Sequence, residues 1–131
     1  MIKDFFNYEV KIKDSLFISK SGLKYENTVA ISFFDANKKE IACIELGFVK
    51  AEHIYRLIDE GEPINIDQCY VEDFSLDDYR ASRNMGRMSY VKINGFSAYG
   101  TFFDTQTTTD FSYSEFADSH KTFENAYFLN G

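Results

Sequence analysis

Residue types that carry out catalysis are sparse in this chain of 131 residues. Its two histidines, His53 and His120, have no Ser, Cys or carboxylate partner at a spacing typical of a catalytic site. The two cysteines, Cys43 and Cys69, lie far apart, with no Cys-x-x-Cys spacing and no histidine pair to complete a zinc site. We therefore predict no catalytic residue, no cofactor and two buried free thiols. A small enzyme built on the N-terminal half would need a pocket that contains His53 or Cys43.

Four carboxylates form the remaining candidate for chemistry, namely Glu72, Asp73, Asp77 and Asp78. Carboxylate oxygens are ligands that Ca²⁺ accepts, but this segment lacks the alternating ligands and the glycine of a calcium-binding loop. The chain also contains no glycine-rich phosphate loop and no nucleophile elbow. We predict that the four carboxylates lie at solvated corners of the fold and that they bind no metal.

Charge is unevenly distributed along the chain. Residues 57–78 contain eight acidic residues and no Lys or Arg, whereas residues 80–92 contain four basic residues and no acid. The two segments could neutralise each other through exposed ion pairs of small value, or they could form a docking surface for a protein. Arginine forks bind carboxylates and methionine adapts its shape, so the docking surface would comprise the acidic cluster together with Arg83, Met85, Arg87 and Met88.

Most of the first half has the pattern of a β-sheet. Val10 and Ile12 alternate with charged residues, and apolar residues alternate again in residues 29–33 and 41–48. Turn-forming residues separate these segments, which favours an antiparallel β-meander. A change of phase near Cys43 and Ile44 suggests either a β-bulge or burial of the strand on both faces.

One amphipathic helix follows the meander. Apolar residues recur with the i, i+3, i+4, i+7 spacing at Ala51, Ile54, Tyr55 and Ile58. Gly61 and Pro63 predict the end of this helix. Residues 1–62 are thus expected to form a β-meander with one helix.

A period of five residues begins after Pro63. The segments INIDQ, CYVED, FSLDD and YRASR each place an apolar residue at their third position, after which residues 82–89 interrupt the pattern as a loop. Late phenylalanines then recur at intervals of five and seven. A chain that turns inward every five residues would wind a four-sided coil of about 20 residues whose stacked turns pair as neighbouring strands do. The predicted core residues are Ile66, Val71, Leu76, Val91, Phe96, Phe103, Phe111, Phe116, Phe123 and Phe128.

These segments, with TDFSY, SEFAD and AYFLN in the tail, resemble the pentapeptide-repeat family. The resemblance covers residues 64–81 and 91–131, and the tail is similar to the Phe-rich variant in which spacings of five and seven alternate. It implies a right-handed four-sided β-solenoid that acts as a surface and has no catalytic residues. Phe74 and Tyr79 depart from the family pattern, since they are bulky where small residues are preferred, and two insertions break the array.

The expected fold class is mainly β (α+β): residues 1–62 cap a short, irregular pentapeptide-like solenoid in residues 63–131. Because Gly131 follows directly after a well-formed unit, either further repeats follow it or the exposed solenoid end meets a second copy. Charged residues interrupt the N-terminus where a signal peptide would be apolar, so we expect a cytoplasmic protein without membrane contact.

The function expected from these patterns is protein–protein interaction or scaffolding, including self-association, without enzymatic activity. A formal net charge of −7 argues against direct nucleic-acid binding. The alternative is an acidic inhibitor or immunity protein that presents residues 57–78 to a basic partner, since some pentapeptide proteins mimic DNA.

Overall fold

A computed structural model describes residues 5–20, 22–104, 109–116, 121–122 and 126–129, with only the backbone described at 121–122. These residues form short strands and two helices, which confirms a mainly β protein. The chain divides into two compact units, Met1–Phe48 and Val49–Gly131. The first helix therefore belongs to the second unit, whereas the sequence assigned it to the N-terminal part. No helix in the described ranges is long and apolar enough to cross a membrane.

The first unit contains an antiparallel sheet and a small hairpin. Its strands are β1 (Asn7–Lys13), β2 (Phe17–Ile18), β3 (Lys24–Tyr25), β4 (Thr28–Phe34) and β5 (Glu40–Lys50). The last two residues of β5 belong to the second unit. Strand β4 pairs antiparallel with β1 on one side and with β5 on the other, and β2 pairs antiparallel with β3.

The centre of this sheet is apolar, as the alternation predicts. Val29, Ile31 and Phe33 of β4 are fully buried. The register of β4 with β5 shifts between Phe33 and Phe34, so the irregularity lies at Ile41 of β5, two residues before Cys43. Cys43 is exposed, and the prediction that its thiol is buried is wrong, because it alternates with Ala42 and Ile44 and lies on the same solvent-facing side of this part of β5 as Ile41 and Glu45.

Gly47 allows the hairpin to pack closely on β5. A Cβ atom at this position would lie 2.5 Å from Cδ2 of Tyr25 and 3.1 Å from Cδ2 of Phe17. Because side chains do not approach so closely, only glycine fits here without a shift of the Tyr25 ring.

The second unit consists of two helices and eight short strands in the described residues. The helices are α1 (Ala51–Glu60) and α2 (Leu76–Ser82), and the strands are β6 (Ile64–Asn65), β7 (Cys69–Glu72), β8 (Val91–Ile93), β9 (Phe96–Ser97), β10 (Phe102–Asp104), β11 (Ser114–Phe116), β12 (Lys121–Thr122) and β13 (Tyr127–Leu129). Helix α1 ends as predicted, since Gly61 takes the left-handed conformation with φ 69°.

The strand pairs of the second unit recorded in the described residues are parallel. Strand β9 lies between β6 and β12, β10 lies between β7 and β13, and β8 pairs with β11. A single parallel bridge joins Ser75 to Asp110. Each pair joins segments that are distant in the sequence; Ile64, for example, pairs with Phe96.

Helix α2 occupies residues that the five-residue period assigned to flat sides of a coil, and that part of the prediction is wrong. The Ser75 hydroxyl accepts a hydrogen bond from the Asp78 amide at 3.3 Å, which is an N-cap contact. Asp77 and Asp78 lie in the first turn, where negative charge stabilises the helix dipole. These local contacts favour a helix over the extended conformation that the apolar spacing indicated.

Most predicted core positions are buried. Exposure is at most 3% for Ile66, Val71, Leu76, Val91, Phe96 and Phe103. Phe111 and Phe116 are half-buried and both contact the Phe96 ring, with ring centroids 5.6 and 5.8 Å apart. Phe128 stacks on Phe103 at 5.0 Å but remains 49% exposed. Phe123 lies outside the described residues.

Candidate functional site

Arg80 of α2 is the most unusual residue of the second unit, because its side chain is fully buried. Its Nε donates a hydrogen bond to the Ser89 carbonyl at 2.7 Å, and its Nη2 donates to the carbonyls of Ser112 and Tyr113, the latter at 2.9 Å. Its Nη1 is buried and has no hydrogen-bond partner among the residues that the structure describes. Burying a guanidinium is costly unless its N–H groups are hydrogen-bonded. Here the hydrogen bonds of Arg80 join α2 to two separate loops.

Tyr113 sits at the end of this connection in a constrained conformation. Its φ of 51° is rare for a bulky residue and costs energy unless neighbouring contacts hold it. Its carbonyl accepts from Arg80 and also from the Val91 amide at 2.9 Å. The Arg80 guanidinium lies 5.6 Å from the centroid of the Tyr113 ring, and the Tyr90 ring packs edge-on against it at 5.9 Å.

A cavity of about 370 Å³ opens beside Tyr113. It is lined by Asp77, Arg87, Met88, Asp110, Ser112 and Tyr113. The side chain of Arg87 is 88% exposed and lies 3.6 Å from the Asp77 carboxylate, so this ion pair is loose and solvated.

Asp110 keeps its negative charge at the wall of this cavity. Partial burial alone would raise the pKa of its carboxyl group, but hydrogen bonds from Ser112 and Asp77 and the charge of Arg80 lower it overall. The Ser112 amide donates to Oδ1 of Asp110 at 2.9 Å. The cavity therefore contains the carboxylates of Asp77 and Asp110 and the guanidinium of Arg87. A positively or a negatively charged group of a partner could pair with them.

Large exposed side chains lie in the cavity lining, at Met88 and Tyr113, and next to it, at Tyr90, which packs on the Tyr113 ring. Met88 is 70% exposed, Tyr90 68% and Tyr113 41%. Together with Arg87 they form a surface that we call the Met88 patch, defined as Arg87, Met88, Tyr90 and Tyr113. These residue types are enriched at protein interfaces.

Arg83 makes the intramolecular ion pairs that the sequence offered as the alternative to a docking surface. Its guanidinium contacts the Asp59 carboxylate at 2.6 Å and Glu52 at 3.4 Å, both on α1. It also lies over the rings of Tyr79 and Tyr55, 4.8 and 5.7 Å from their centroids. The acidic and basic segments thus neutralise each other here within one chain, and Arg83 connects the two helices.

The ionisation of this network follows from its contacts. Hydrogen bonds from Arg83 and Tyr79 lower the pKa of Asp59, so its carboxylate stays charged. Burial, followed by the hydrogen bond to Asp59, raises the pKa of Tyr79 to about 12. The Tyr79 hydroxyl therefore remains protonated and donates to Oδ1 of Asp59 at 2.7 Å.

The other predicted interaction residues are dispersed. Met85 is half-buried, and neither it nor Arg83 lines the cavity. Glu72, Asp73 and Asp78 are exposed and also lie outside the cavity lining. Within the acidic cluster only Asp77 joins Arg87 and Met88 at this site.

Among the described residues, the candidate catalytic and metal-binding side chains are not assembled into a site. His53 and Cys43 are exposed. They line neither the cavity beside Tyr113 nor a second cavity, of about 370 Å³, beside Phe34 in the first unit. Cys69 is buried as predicted, and His120 lies outside the described residues. In the described ranges, no group of three His, Cys, Asp or Glu side chains could hold a metal ion.

Sequence reasoning missed Arg80, Tyr90, Asp110, Ser112 and Tyr113. One usable signal was present: Ser75 followed three residues later by Asp78 resembles a helix N-cap, and a helix places Arg80 on the same face as the buried Leu76. The contact of Tyr113 with α2 had no comparable signal, because it joins residues 33 positions apart.

No protein-family model matches this chain, and no curated protein or solved structure matches it either.

Proposed function

We propose that the second unit is a short, four-sided, right-handed β-solenoid of the pentapeptide type, and that it serves as a non-enzymatic protein-binding module. Support for the winding comes from the parallel pairing of β6 with β9 and β12, and of β7 with β10 and β13. Short strands that are separated by one turn of the chain pair in parallel when the chain returns to the same side after each turn. The turn from Ile64 to Phe96 exceeds the expected 20 residues because α2 and its loop lie within it.

The observation that carries the binding function is the Met88 patch. Exposed Met, Tyr and Arg side chains beside a cavity provide the apolar anchors and the hydrogen-bonding groups that interfaces use. A partner could insert an apolar or charged side chain next to Tyr113 and pair with Arg87 or with the two carboxylates of the cavity. Protein is the favoured partner, because the chain as a whole is acidic and would repel nucleic acid.

The contacts that hold the Met88 patch in place support the same function. Arg80 and the Val91 amide both bind the Tyr113 carbonyl, and Tyr90 packs on the Tyr113 ring. A side chain that is already fixed loses less conformational freedom on binding. The contacts of the buried guanidinium thus have a use in holding the patch in a binding-competent form.

The experiment compares partner capture by the native protein with capture by the double variant Met88→Ala/Tyr90→Ala. Both side chains are largely exposed, so the fold should tolerate the change. Leu16→Ala, which removes another side chain that is 60% exposed, is the matched control. We expect quantitative mass spectrometry to show partners that the double variant loses and the control retains. Identical capture by all three proteins would contradict the proposal.

A second candidate function is inhibition of a basic protein by the acidic segment. Glu60, Glu62, Glu72 and Asp78 are exposed and favour this alternative. The complex would then weaken steeply with salt, since it would depend on exposed charges. A complex that depends on the Met88 patch would respond less to salt and more to Met88→Ala/Tyr90→Ala.

A further inference from the structure

Strand β1 lies at the edge of the sheet in the first unit. In the part of the chain that the structure describes, the only strand that pairs with it is β4, and the Tyr8 amide donates to Oδ1 of Asn7 at 2.9 Å. An edge strand presents backbone N–H and C=O groups on its outer side that can pair with another chain.

The two faces of β1 differ in composition. Tyr8 and Val10 are half-buried and Ile12 is 50% exposed, and these three share one face. Glu9 and Lys11 are exposed on the other face, together with Lys13. Soluble proteins often place lysines on an edge strand to keep it unpaired, so the arrangement of these charges determines what the edge can bind.

We propose that β1 pairs antiparallel with β1 of a second copy of this chain, with Val10 opposite Val10. This register places Glu9 opposite Lys11 of the other copy, twice by symmetry, and Tyr8 opposite Ile12, also twice. Opposite charges and aromatic pairs with β-branched residues are both favourable across strands. Strands β1, β4 and β5 of the two copies would then form a continuous run of six antiparallel strands. The inference is independent of the proposed function, since it concerns the first unit and does not use the Met88 patch.

Neighbouring registers are excluded by charge and by face. Moving the two-fold axis to Glu9 or to Lys11 brings two like charges directly opposite each other, which is destabilising. A slip of one residue in the pairing would place the apolar face of one strand level with the charged face of the other. The sequence of β1 is thus self-complementary about Val10, which selects a second copy as the occupant.

Charge exchange at Glu9 and Lys11 tests this register. The dissociation constant of the native protein is measured by light scattering and sedimentation over a range of concentrations. Glu9→Lys and Lys11→Glu each convert two attractive pairs into two repulsive ones, so each should weaken the dimer about tenfold. The double variant Glu9→Lys/Lys11→Glu restores opposite charges and should return the dissociation constant to within about threefold of the native one.

A cross-linking experiment tests the position of the axis. In a Cys43→Ser background, Val10→Cys places two thiols across the axis at a separation that a disulfide can span. The matched control, Ile12→Cys, places its two thiols on Cα atoms about 13 Å apart, which is too far. We expect a disulfide-linked dimer under mild oxidation with Val10→Cys and only monomer with Ile12→Cys.

Three results would each overturn the inference: a native protein that is monomeric at every concentration, single charge variants that dimerise as the native protein does, or equal cross-linking at positions 10 and 12. Circular dichroism of each variant establishes that the sheet is intact, and a variant that fails this check is replaced by the milder Glu9→Gln, for which we expect a smaller loss of dimer.

Discussion

Replacing the buried Arg80 by methionine should destabilise the second unit by about 3 kcal/mol. The substitution removes hydrogen bonds from a charged group to the carbonyls of Ser89, Ser112 and Tyr113, and each such bond contributes about 1.5–3 kcal/mol. This loss is offset in part, because the variant no longer buries a charge or the Nη1 atom, which has no partner among the described residues. Avoiding the cost of burying this charge stabilises the folded variant by several kcal/mol. Methionine preserves most of the apolar stem, so the packing of α2 should change little.

The free energy of unfolding is measured by urea denaturation followed by circular dichroism and tyrosine fluorescence. Arg83→Met is the matched control. Arg83 lies three residues from Arg80 in the sequence and its side chain is 22% exposed, so the loss of its ion pairs should lower the free energy of unfolding by less than about 1 kcal/mol. Hydrogen exchange should also show faster exchange of the Val91 amide in Arg80→Met, since this amide donates to the Tyr113 carbonyl. If Arg80→Met were no less stable than Arg83→Met, the assignment of Arg80 as the residue that fixes Tyr113 would be refuted.

Three further predictions concern local contacts. Ser75→Ala removes the N-cap of α2 and should cost about 1 kcal/mol in the same urea assay, whereas Ser75→Gly should cost less; equal stability of the native and Ala proteins would exclude the cap. Gly47→Ala should destabilise the first unit by about 1–3 kcal/mol because its Cβ meets the Tyr25 ring, and a neutral result would show that the hairpin does not pack as closely as described. Asp59→Asn should cost under about 1 kcal/mol at pH 7, because Asp59 is an exposed partner of Arg83. Since folding lowers the pKa of Asp59, its contribution is complete above the unfolded value near 4 and is lost as the pH falls through the folded value; a native–variant difference that does not shrink as the pH falls below the unfolded value would contradict the ion pair.

The sequence predicted the features that depend on local periodicity. Alternation in residues 29–33 identified the buried face of β4, and the i, i+3, i+4, i+7 spacing together with Gly61 identified α1. The five-residue spacing identified buried positions such as Ile66 and Val71, because inward-facing residues must be apolar in any arrangement that encloses a core.

The same spacing failed at Leu76. An apolar residue at this position suits a flat side of a coil and the buried face of a helix equally well, and the N-cap at Ser75 decides between them. The candidate site was only half predictable for a related reason. Arg87 and Met88 were expected from their residue types. Tyr113 was not, because it is held beside them by a hydrogen bond from the buried Arg80, and arginine is usually exposed.

The most direct test of the central claim is the pattern of backbone nuclear Overhauser effects in the second unit. A unit built from stacked parallel strands predicts contacts between amide and Hα protons that connect Tyr70 with Phe102 and Val91 with Ser114 in parallel register. Short Hα–Hα contacts between sequence neighbours, which are typical of antiparallel hairpins, would contradict the stacked arrangement and remove the support on which the Met88 patch rests.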